Sequence, residues 1–106
     1  MDIQSGNDAV DLKLTALYRA IEDKDVKQTH ALLEDMHEMC LTSKELAKWL
    51  INPANITNMH EKLESDLGVP RKTMQLRVRI PNFHRRAVYF IKAMINGVSR
   101  VMPKDE

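Results

Sequence analysis

Glycine and proline are scarce, at three and four residues in 106, and so little punctuation excludes an architecture of many short strands and tight turns. The one cysteine, Cys40, excludes an intramolecular disulfide framework and fits a reducing compartment, as a buried thiol rather than a nucleophile. There is no glycine-rich phosphate loop and no serine elbow. No set of acids and histidines recurs at a spacing that would gather it in one cleft, so neither an enzyme nor a cofactor is expected. His30, His37 and Cys40 come closest to a metal set and lack a fourth ligand, so no metal is expected either. His60 and His84 stand alone. No apolar run approaches the ~20 residues of a membrane span, and before Leu12 neither the basic stretch nor the apolar core of a signal peptide occurs. Membrane partners are therefore not expected.

What is present is the composition of a folded domain: 43% hydrophobic and 29% charged residues, in a chain long enough for one core that buries about two-thirds of its unfolded surface. The net charge of +1 conceals a strong polarity. Residues 1–67 hold 7 Lys and Arg against 13 Asp and Glu, a net of −6. Residues 68–100 hold Arg71, Lys72, Arg77, Arg79, Arg85, Arg86, Lys92 and Arg100 with no acid, a net of +8. Such a field can recruit an acidic peptide or a phosphate backbone, or dock the basic half on the acidic half of the same chain. Nucleic acid is the secondary expectation. Aromatics make up only 5% and do not interleave with the bases as in single-strand binders.

Periodicity assigns helices. Val10, Leu14, Leu17 and Ile21 form one apolar stripe, and Val26, Thr29, Leu33, Met36 and Cys40 a second, joined by a short polar link in which Asp23 or Asp25 can cap the second helix. A link so short makes the two antiparallel neighbours. Thr42 and Glu45 have capping-box spacing, with Leu41 and Leu46 as a hydrophobic staple, before a short helix that faces Leu46, Trp49 and Leu50 inward. Asn52 as cap and Pro53 at the first position open a helix with Ile56, Met59, Leu63 and Leu67 on its stripe; Gly68 ends it and Pro70 prevents continuation. Met74, Leu76, Val78 and Ile80 alternate with Gln75, Arg77 and Arg79 like a strand, yet no second strand exists to pair with it. An extended or irregular connector laid along the bundle, or a helical turn stopped by Pro81, is therefore expected. Asn82 caps a final helix with Phe83, Ala87, Phe90 or Ile91, Met94 and Val98 inward and a regular end at Asn96–Gly97. The methionines mostly fall on stripes and read as core filling.

The expected fold is all-α: a compact bundle of four to five helices with an irregular connector around residues 69–81. Residues 9–99 form a single, monomeric interaction domain, and residues 1–8 and 100–106 are disordered tails. Its candidate site is the pair of corners at one end, where Ile21, Glu22 and Asp23 would meet Leu67, Val69, Arg71 and Lys72 in an apolar notch with charged rims.

Ile21, Glu22, Asp25 and Val26, the run LEDMHEMCLT from Leu33 to Thr42, and ITNMHEKL from Ile56 to Leu63 resemble the integrase-binding domain of lens-epithelium-derived growth factor and the hepatoma-derived growth factor-related proteins, within the TFIIS N-terminal-domain-like group. The resemblance covers roughly residues 12–98. It implies a right-handed helical bundle that captures disordered motifs of nuclear chromatin and transcription proteins at two interhelical corners. By that resemblance Ile21 is the apolar residue of the first corner and Glu22 the acid that accepts backbone N–H bonds from the partner. The family's Phe-x-Val at the second corner matches Leu67 and Val69 here, or alternatively Met74 and Leu76. Glu64 and Ser65 stand where the family places basic residues, and Arg71 and Lys72 follow the corner instead.

Overall fold

In the computed structural model, residues 5–103 are described, and among them there are five α-helices and no strand. They are α1 (Asp8–Glu22), α2 (Val26–Thr42), α3 (Lys44–Ile51), α4 (Pro53–Leu67) and α5 (Phe83–Val101), with a 3-10 turn at Arg71–Thr73. The apolar stripes read from the sequence are the core. Val10, Leu14, Leu17, Leu33, Met36, Leu50, Met59, Leu63, Ile91, Met94 and Val98 are all buried, and of the two candidates on α5 it is Ile91, not Phe90, that points fully inward.

Every α-helix starts on a side-chain cap that accepts from otherwise orphaned N–H groups. Asn7 accepts from Ala9 and Val10, Asp25 from Gln28, Ser43 from Leu46, Asn52 from Ala54, and Asn82 from Arg85. Asp25, Asn52, Pro53 and Asn82 act as expected. The third corner does not. Thr42 is still the last residue of α2, and Ser43 is the cap of α3, so the Thr42–Glu45 capping box and its staple do not form. Leu41 is 56% exposed while Leu46 is buried. A one-residue extension of α2 turns Leu41 outward, because successive helical residues point about 100° apart.

Gly68 adopts the left-handed conformation with φ 72° and ends α4 as read. The expected end at Asn96–Gly97 is absent, and α5 continues to Val101. Gly97 serves packing. A Cβ there would come within 2.8 Å of Val69 Cγ1 and Thr73 Oγ1 and 3.3 Å of Met74 Cγ, so the bare backbone lets the segment after α4 lie against α5. At the other terminus, the Ser5 hydroxyl donates to Asp11 Oδ1 at 2.6 Å and ties the chain to α1 before the helix begins. Residues 1–4 and 104–106, the outer parts of the expected tails, lie outside the described residues.

α5 packs most extensively on α2 and α3, and α1 on α2 and α4. His30 of α2 lies 3.4 Å from the Ser99 hydroxyl, whereas Leu41 lies beside Val88, so α2 and α5 run antiparallel. Asn58 sits beside the Tyr18 hydroxyl and Lys62 donates to Glu22 at 3.1 Å, so α1 and α4 run in the same sense. Their carboxyl ends therefore share one end of the bundle.

Candidate functional site

That shared end places the two predicted corners side by side, but their apolar residues are not available there. Ile21 and Val69 are both 0% exposed. Ile21 completes the inward stripe of α1, and Val69 is drawn under Gly97; Leu67 is half-buried against the core. The charged rim is largely neutralised within the chain. Glu22 is held by Lys62 at 3.1 Å, and Arg71 lies 3.7 Å from Glu64 and 3.9 Å from Glu61. Asp23 and Lys72 stay exposed. The alternative second corner splits: Met74 is fully buried, and Leu76 is half-buried on the outer side of the connector.

A different surface gathers open apolar and basic side chains. The connector of residues 75–81 and the first turns of α5 enclose a cavity of about 540 Å³. Its apolar lining comes from Leu76, Val78, Ile80 and Tyr89, and its charge from Arg77, Arg79 and Arg85. Val78 is 72% and Tyr89 41% exposed. Exposed apolar residues scattered singly are ordinary, but several lining one concavity are not. No carboxylate among the described residues lines this cavity. Among the described residues, Arg77, Arg79 and Arg85 take part in no ion pair, in contrast to Arg71 and Lys62. Arg86 is structural, its guanidinium donating to the Ile80 carbonyl at 3.3 Å and fixing the connector's end on α5.

Two further concavities continue along α5. Arg85 and Tyr89 also line the second, of about 260 Å³, with Leu41, His84, Val88 and Lys92. Lys92, whose ammonium lies 5.7 Å from the Tyr89 ring centroid, also lines the third, of about 580 Å³, opposite Glu34, Asp35 and Glu38. The charge of the lining thus changes sign along the helix.

The sequence concealed this surface for identifiable reasons. Leu41 was expected in a staple, and Tyr89 lies off the α5 stripe. The alternation over 74–80 was the available signal, because an unpaired strand-like segment has to leave one of its apolar sets outside.

Reactive chemistry is sparse. Burial pushes the Cys40 thiol up to about 11, which keeps it protonated at neutral pH. Burial likewise pushes the Tyr18 phenol up to about 12, against a smaller opposing effect from Asn58. Burial, and then the nearby Arg71 guanidinium, lower the pKa of His60. Among the described residues no group of three His, Cys, Asp or Glu side chains could hold a metal ion, and no helix is long and apolar enough to cross a membrane.

Comparisons with protein-family models, with curated proteins and with solved structures find no match to this chain. The site's residues therefore carry the functional reading by themselves.

Proposed function

We propose that this chain is a protein-interaction module that docks a short, disordered partner segment carrying an apolar or aromatic anchor and flanking acids. The observation that carries the reading is the groove between the connector and α5, where open apolar side chains stand among arginines that have no carboxylate partner among the described residues. An anchor entering it removes Val78 and Tyr89 from water, at about 25 cal/mol per Å² of apolar surface. Flanking carboxylates meet Arg77, Arg79 and Arg85, and the arginine fork holds a carboxylate in two parallel bonds. By its resemblance to the integrase-binding domain, the partner is a segment of a nuclear chromatin or transcription protein and the domain acts as a monomer.

The test is a titration of the isotopically labelled chain with acidic peptides that contain one aromatic residue. The expected result is amide shifts centred on Leu76, Val78, Arg85 and Tyr89. Charge reversal at the exposed Arg79 (Arg79→Glu) should weaken binding and leave the fold intact, since exposed substitutions cost little stability. Shifts centred on Glu22 and Leu67 instead would move the site to the corner pair. Duplex DNA that perturbs the groove with a steep salt dependence, where no peptide does, would replace this reading with nucleic-acid binding.

A further inference from the structure

The three concavities along α5 share walls in sequence: Arg85 and Tyr89 belong to the first and second, and Lys92 to the second and third. They follow one another along a single stretch of α5. Arg85 to Asn96 covers about three helical turns, roughly 16 Å, a length that about five residues of extended peptide can follow. Its two ends carry opposite charge. At the connector end stand Arg77, Arg79 and Arg85; at the other stands Glu38, with Glu34 beside His30 at 3.1 Å and Asp35 beside Lys13 at 3.4 Å.

We propose that the three concavities act as one bipolar groove that fixes the orientation of its occupant: a disordered segment of another protein, with acids at one end, two apolar anchors between, and a basic residue at the other end. The inference rests on the interaction-module reading and adds the partner's charge order. The first anchor sits among Val78, Ile80 and Tyr89, and the second between Leu41 and Val88. Tyr89 is the ridge between them. Charge complementarity assigns both ends, because an acidic segment running the whole length would bring its far end against Glu38 and the partly paired Glu34 and Asp35.

A further observation favours a polypeptide occupant. The backbone of residues 75–79 makes no hydrogen bond within the chain among the described residues, so an extended peptide laid along it meets open donors and acceptors.

The experiment uses the full chain and two synthetic peptides that share the same pair of apolar anchors. One has aspartates at one end and lysines at the other; its counterpart has aspartates at both. The bipolar peptide should bind about fivefold to tenfold more tightly at low salt, since each exposed charge contact contributes little alone and several change sign together. A spin label on its acidic end should broaden the amides of residues 76–80 and spare those of 34–38. Glu38→Lys, an exposed change, should narrow or reverse the preference. Equal affinity of the two peptides, with shifts still centred on Val78 and Tyr89, would overturn the bipolar groove and leave the interaction module standing. Absence of binding by either peptide would overturn both. Displacement of the bipolar peptide by duplex DNA at comparable concentration would assign the basic end to nucleic acid and likewise overturn the proposal.

Discussion

Replacing Gly97 by alanine sets two physical effects against each other, and the structure decides between them. Propensity alone predicts stabilisation, because alanine is better than glycine in a helix interior by about 1 kcal/mol, and Gly97 lies within α5. Packing predicts the opposite. The new methyl would stand 2.8 Å from Val69 Cγ1 and from Thr73 Oγ1, against the roughly 3.5–4.0 Å at which carbon atoms rest. Neither neighbour gives way easily: Val69 is fully buried, and the Thr73 hydroxyl donates to the Pro70 carbonyl at 2.7 Å. Overpacking of this kind costs about 1–3 kcal/mol, and a lost hydrogen bond adds about 0.5–1.5. After the propensity gain, a net loss of about 1–2 kcal/mol is expected. Urea unfolding followed by circular dichroism should show a lower midpoint at unchanged slope. In a Val69→Ala background the penalty should shrink by about 1 kcal/mol, a coupling that identifies the valine as the obstacle. A midpoint that rises with Gly97→Ala, or a penalty unchanged in the Val69→Ala background, would refute the proposed role of the close approach.

Gly68→Ala separates backbone strain from space, since φ is 72° and nothing lies within 4 Å of the added carbon; a loss of about 1 kcal/mol is expected, read as a fall of roughly 4–8 °C in melting temperature. Cys40 should not react with a thiol reagent at pH 8 in the folded chain, because its pKa lies near 11, and should react fully in denaturant. His60 has its pKa lowered by burial and by Arg71, so the unfolded chain binds its proton more readily. Stability should be full above the unfolded value of about 6.5 and fall as the pH drops through that value toward the folded one. A His60→Phe variant whose stability still declines over that range to the same extent would show that the titrating group lies elsewhere.

The helices and their inward faces were legible because they depend on local periodicity and local caps. Leu14, Leu17, Leu33, Met36, Met59 and Leu63 could be placed from spacing alone, and Asn52, Pro53, Gly68 and Asn82 from their backbone preferences. Where two caps competed within one residue, the outcome lay outside local sequence: Thr42 and Ser43 can both accept a helix N–H, and the packing of Leu46 selects Ser43. Gly97 was misread for a related reason. As a local signal glycine marks a helix end, whereas here it answers to Val69, Thr73 and Met74, which are distant in sequence. The corner site shared this limitation, since Ile21 at the mouth of a turn and Ile21 completing a buried stripe have the same sequence.

The connector links these outcomes. Its apolar residues at 74, 76, 78 and 80 have the period of a strand, and in a sheet all four would face one core. With no strand to pair with, the segment is held at its ends instead, by Met74 packed near Gly97 and by the Arg86 bond to the Ile80 carbonyl. Anchoring the ends spends Met74 on the core and leaves Val78 outside, with Leu76 and Ile80 half-covered. The arginines between them form no ion pair among the described residues, and their own segment, residues 68–100, contains no acid. The missing partner strand and the run of arginines are therefore what leave it as one open, basic wall beside α5.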